Sequence, residues 1–173
     1  MAAVAELCSF DRMKTRDREA WRKRFDAKTV NCLPLPTLLL ELLDSGRWKT
    51  PDDQLMRAKI PSLKEPVDFL RSVEHIAFES QGFLADDERT ASLFHEYRSS
   101  TGVEKSLPWR DVEKSLLIAV NREIGADLGI ALDYRSGTGD PSVLISDWWT
   151  GDHTCHWREV TKTFAEFVSL LRL

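Results

Sequence analysis

Apolar positions recur along this chain with two different periods, and the change from one to the other gives the first indication of its fold. In "LPLPTLLLELLDSGRW", Leu38, Leu39, Leu42 and Leu43 fall on one broad helical face and Leu40 widens it, so the spacing predicts a well-buried helix. Pro36 suits its first turn and Gly46 the position just past its end. "TPDDQLMRA" predicts a short helix, with Thr50 as N-cap, Pro51 at the first position and acidic side chains in the first turn. Further upstream, Arg12 to Lys28 reads as a charged helix with Trp21 and Phe25 four apart on one face. Its eight basic residues are interleaved with Asp17, Glu19 and Asp26, which predicts a solvated face rather than a nucleic-acid arm. The stretch Ser72 to Ser100 is ambiguous. "DDERTASLFHEYRS" spaces Leu93, Phe94 and Tyr97 for a helix, and a strand around Phe94 is the alternative.

Beyond Pro108 the period shortens. "SLLIAVNREIG" carries Leu116 to Val120 as an unbroken apolar run, as expected of a strand covered on both sides. "GIALDYR" alternates, with Ile130, Leu132 and Tyr134 on one face and Ala131, Asp133 and Arg135 on the other. "SVLISDWW" places Val143, Ile145, Asp147 and Trp149 on a shared face, and "HWREV" adds a further strand. The intervening "RSGTGDP" has the residues a turn requires. Thr163 and Glu166 form a T-x-x-E capping box ahead of Phe164, Phe167, Val168 and Leu171, which predicts a closing helix. Helices dominate the first half and strands the second. This segregation predicts an α+β fold with a mixed or mainly antiparallel sheet.

A length of 173 residues fits one domain, in which roughly 70% of the unfolded chain's surface can be buried. Residues 1–33 are a candidate helical extension of it. The net charge of −4 gives no reason to expect nucleic acid, which calls for a basic surface or stripe. Cys8, Cys32 and Cys155 are odd in number, far apart and without a CxxC pair, which argues against a disulfide framework and for a reducing cytosol. The start "MAAVAELCSF" lacks the basic head and apolar run of a signal peptide, and no apolar run approaches the ~20 residues of a membrane span. A cytoplasmic location is the expectation.

Little of the sequence points to catalysis. "GTGDP" has two glycines of a dinucleotide loop but leads into a strand rather than the helix whose N–H groups would hold phosphate. "WTGDHTCHW" crowds Asp152, His153, Cys155 and His156 into one loop. Zinc accepts these ligands, but a structural site draws them from two segments, and no second pair stands elsewhere. A solvated loop is the favoured reading; a metal or small-ligand site, or a weak enzyme built on these four, is the alternative. Asp133 and Arg135 read as a solvated ion pair, and Asp140 as a turn residue before Pro141. No GxSxG, SxxK, HExxH or Walker motif occurs, so the expectation is a protein that is not an enzyme and needs no cofactor. Six tryptophans are many for this length. The adjacent Trp148 and Trp149 must point to opposite faces of a strand, one inward and one toward a helix, a partner or water.

"LPWRDVEKSLLIAVN", "GIALDYRSGTGDPSVLISDWW" and "HWREVTKTFAEFVSLL", taken in order over about residues 107–171, resemble the SUKH superfamily, which includes yeast cell-wall assembly regulators and bacterial toxin-immunity proteins. The resemblance rests on Asp133-Tyr134-Arg135 at a strand end, Pro141 in the turn, Asp147-Trp148 at the next strand end, and Phe164 and Phe167 in the last helix. The single Gly46 and the charged helix before it depart from the family's N-terminal pattern. The resemblance implies an α+β fold with a mixed sheet flanked by helices. It further implies a protein-binding module, in bacteria one that neutralises a cognate toxin; from the charge and the short apolar runs, neither nucleic acid nor a membrane is expected as a partner. Asp133, Arg135, Trp148 and Trp149 are the candidate partner-binding residues. The oligomeric state is not set by the sequence.

Overall fold

A computed structural model describes residues 28–81, 114–123, 128–137, 139–147 and 156–173. The described residues form four helices and two antiparallel sheets, a mixed α+β class. Strands β1 (Thr29–Val30) and β2 (Leu33–Pro34) make a small hairpin. Helix α1 spans Thr37–Asp44, α2 Asp53–Lys59 and α3 Val73–Gln81, with strand β3 (Val67–Phe69) between the last two. Strands β4 (Ser115–Asn121), β5 (Gly129–Asp133), β6 (Ser142–Asp147) and β7 (His156–Thr161) follow, and α4 (Phe164–Leu171) closes the chain.

The larger sheet has the order β3-β4-β5-β6-β7, each strand antiparallel to its neighbour. The sheet inferred from the family resemblance was mixed; every pairing among the described residues is antiparallel. The central strands are covered on both faces, as the apolar run of β4 predicts. Leu116 to Ala119 are buried, and so is every residue of β5. Between Leu117 and Ala119 the β4–β5 register shifts. Within this irregular stretch the Leu117 N–H donates to the Ser80 hydroxyl of α3 at 3.0 Å, so a wholly buried serine satisfies it.

The leucines of α1 all pack toward the core, as the broad apolar face predicts, but only Leu39 and Leu42 are fully buried, and Leu38, Leu40 and Leu43 are partly so. Gly46 ends the helix at φ +67°, a left-handed conformation that glycine adopts without steric cost. Trp48 then enters the core. Its ring stacks on Phe69 at 4.4 Å and lies 5.6 Å from Phe164, while its Nε1–H donates to the Leu70 carbonyl at 3.1 Å. Phe167 lies 6.3 Å from Phe69, so α4 and β3 meet through aromatic rings over the sheet.

Three sequence-based expectations need correction. The cap of α2 is Asp52, whose carboxylate accepts the Gln54 and Leu55 N–H groups. Thr50 instead accepts the Phe69 N–H at 2.8 Å, because β3 runs past it. From Lys28 onward, the end of the supposed helical extension is a turn and a hairpin. Both central residues of that hairpin, Asn31 and Cys32, have positive φ, 50° and 64°, as a two-residue turn of this hand requires. Cys32 is also disulfide-bonded, and neither of the two other cysteines is among the described residues. One bridge is not a framework, but it removes the ground on which the cysteines argued for a reducing compartment. The charged helix expected before Lys28 and the ambiguous stretch beyond Gln81 lie outside the described residues.

Candidate interaction site

The β5–β6 turn gathers the most distinctive polar chemistry in the described structure. At its base Ser115, Asp133 and Ser142 face one another across three strands, and all three are buried. A buried carboxylate is costly without a partner. Arg135 supplies that partner: its Nε lies 2.9 Å from both carboxylate oxygens of Asp133, and its Nη2 donates to Oδ2 at 2.7 Å. The Arg135 backbone N–H also donates to Oδ1 at 3.1 Å. The expected ion pair is present but is not solvated at the acid: the Asp133 side chain is 6% exposed and that of Arg135 29%.

Tyr134, between them, points inward. It is buried, and its hydroxyl donates to the Pro34 carbonyl at 2.6 Å, which fastens the end of β5 to the β1–β2 hairpin. Burial holds its phenol well above the usual tyrosine range, with a smaller contribution from the negative charge of Asp140. The turn itself is exposed at Arg135, Ser136, Gly137, Gly139 and Asp140. Gly137 has φ +134°, which a side chain would resist, and among the described residues no atom beyond the chain neighbours lies within 4 Å of where a Cβ on Gly137 or Gly139 would stand.

Asp140 does more than shape the turn. Its Oδ1 accepts the Phe164 N–H at 3.0 Å and its Oδ2 lies 3.4 Å from the Ala165 N. The Thr163 hydroxyl accepts the Glu166 N–H at 3.1 Å, as the capping box predicts. Glu166 reaches back to the Lys162 N–H at 3.0 Å, one residue beyond the Thr163 N–H that the capping box expects. The first-turn donors of α4 are thus satisfied from two separate segments, and a negative group sits at the positive end of the helix.

A second polar cluster lies where β4 ends. The Arg122 guanidinium bonds both carboxylate oxygens of Asp53 at 3.0 and 3.1 Å and Oδ1 of Asp68 at 3.0 Å, joining α2, β3 and β4. The hydrogen bonds to Asp53 and then Asp68 hold it still more firmly protonated than an ordinary arginine. Its side chain is 41% exposed, so the cluster is a surface clasp.

Of the residues singled out in the sequence, Asp133 and Arg135 are brought together. Trp148, Trp149, Asp152, His153 and Cys155 lie outside the described residues, and His156 is placed only as the first residue of β7. Among the described residues no group of three or more His, Cys, Asp or Glu side chains is placed to hold a metal ion. Nor, among them, is any helix long and apolar enough to cross a membrane. The cap by Asp140, the Ser80 contact and the Arg122 clasp were all missed in the sequence; each joins residues far apart in the chain, and no local pattern marks them. Comparison with protein-family models, curated proteins and solved structures gives no significant match for this chain.

Proposed function

We propose that the chain is a non-catalytic protein-binding module of the SUKH kind, acting in the cytoplasm as an immunity protein that holds a cognate toxin. The observation that carries this reading is the Asp133-Tyr134-Arg135 corner. One side chain is buried as a counter-charge, one is latched to the β1–β2 hairpin, and one is displayed at the surface in a fixed orientation. Binding surfaces favour arginine and aromatic anchors held in place before the partner arrives. The segments that carry the resemblance also follow one another as β4, β5, β6, β7 and α4 around this corner. On this reading Trp148 and Trp149 belong with Asp133 and Arg135 among the partner-binding residues. The proposal includes a single domain with a mainly helical N-terminal half and the sheet in the C-terminal half.

The test is co-expression with the product of a toxin-like reading frame adjacent to the gene. The module should restore growth and co-elute with that product as a stable complex. Absence of both protection and complex would refute the reading. The cytoplasmic part requires Cys32 to be reduced there; thiol alkylation of protein taken directly from cells reads this, and a persistent bridge would place the protein elsewhere.

A further inference from the structure

We infer that Arg135 is a receptor for a carboxylate, and that the partner presents an aspartate or glutamate side chain to the β5–β6 turn. The inference rests on the protein-binding reading above and specifies the chemistry of the contact. Arginine has five N–H donors in a rigid plane. Asp133 takes the Nε–H and one N–H of Nη2. The two N–H groups of Nη1 and the outer one of Nη2 remain, and no described residue accepts them. The outer N–H of Nη2 and the N–H of Nη1 parallel to it form the end-on fork that matches the two oxygens of a carboxylate.

Three fixed points keep that fork in place. Asp133 is buried beneath the guanidinium, Tyr134 is bonded to Pro34, and Asp140 at the far end of the turn is bonded to the N-terminus of α4. Little entropy is therefore lost when a ligand engages. Ser136, Gly137 and Gly139 are exposed, and among the described residues no atom beyond the chain neighbours lies within 4 Å of where a Cβ on either glycine would stand. A partner's backbone can come close enough for a short acidic side chain to reach the fork.

Charge favours a carboxylate over a phosphate. Asp133 already neutralises Arg135, and Asp140 adds a negative charge to the same turn. A doubly charged phosphate would meet two acids with a single arginine, whereas a singly charged carboxylate needs geometry more than net attraction.

The experiment is a titration of the full chain followed by backbone and arginine side-chain NMR. The probes are three amidated peptides alike except for glutamate, glutamine or phosphoserine at the central position. The glutamate peptide should shift the Arg135 Nε–H and the Gly137 and Gly139 amides, and the glutamine peptide should leave them in place. Arg135→Lys, which keeps the charge and loses the fork, should weaken the glutamate peptide roughly tenfold or more. Arg135→Ala leaves a buried acid without its partner, so the paired Asp133→Asn/Arg135→Gln variant serves as the folded control and should also lose the response. Preference for the phosphoserine peptide, an unchanged response in the variants, or no response to the glutamate peptide would each overturn the inference. If a cognate toxin binds wild type and Arg135→Lys equally well, the carboxylate contact is refuted while the binding-module reading stands.

Discussion

Asp140 and Phe164 are 24 positions apart, yet the carboxylate of the first receives the backbone N–H of the second at 3.0 Å. The turn that displays Arg135 and the helix that closes the fold are therefore one mechanical unit. Asp140→Ala should cost about 1 kcal/mol in urea denaturation, the usual value of a helix cap, and Asp140→Asn distinctly less. Thr163→Ala should cost a similar amount. The two changes should combine non-additively, since both act on one helix end.

The contact between Ser80 and Leu117 is a single hydrogen bond in a dry place. Ser80→Ala removes the acceptor and leaves the Leu117 N–H buried without a partner. The expected loss is roughly 1–3 kcal/mol, measured by equilibrium unfolding, and amide exchange at Leu117 should accelerate. A cost near zero would mean that the register shift in β4 accommodates its own free donor.

Tyr134 gives the fold an alkaline limit. Its phenol titrates higher in the folded protein than in the unfolded chain, so the folded state holds this proton more tightly. The associated stability is fully present below about pH 10, the ordinary tyrosine value, and is lost as pH rises further. Tyr134→Phe should cost about 1 kcal/mol at neutral pH by losing the bond to Pro34. The gap between the two proteins should close as pH rises above 10, read from denaturation midpoints across that range.

Cys32 occupies a left-handed backbone position, φ 64°, that glycine adopts at much lower cost. With reductant present, which takes the bridge out of the comparison, Cys32→Gly should be more stable than wild type by about 1 kcal/mol. Without reductant the order should reverse if the bridge contributes its usual stabilisation. Paired melts with and without dithiothreitol check both halves.

What could be read from the sequence was local. The leucine face of α1, the Thr163 cap of α4 and the strand character of β4 to β7 depend on residues a few positions apart, and each is present. What could not be read was competition and long range. In "TPDD" both Thr50 and Asp52 are good capping residues, and only the passage of β3 decides that Thr50 serves Phe69. Asp133 looked like a strand charge facing water because alternation does not say that both faces are covered. Arg122 had no local mark at all, since its partners Asp68 and Asp53 lie 54 and 69 positions away. The candidate site was half legible: the Asp133–Arg135 pair was expected from their spacing, whereas its burial and the anchoring of the turn through Asp140 depend on tertiary structure.

The sheet is laid down in the order in which it is translated, β3 first and β7 last. During synthesis the leucines of α1 and the ring of Trp48 leave the ribosome long before Phe164 and Phe167, the last rings to join them, have been made. For that interval the growing chain carries an unfinished apolar surface in a crowded cell. Chaperone dependence and losses on overexpression should therefore track the speed of elongation through the second half of the message.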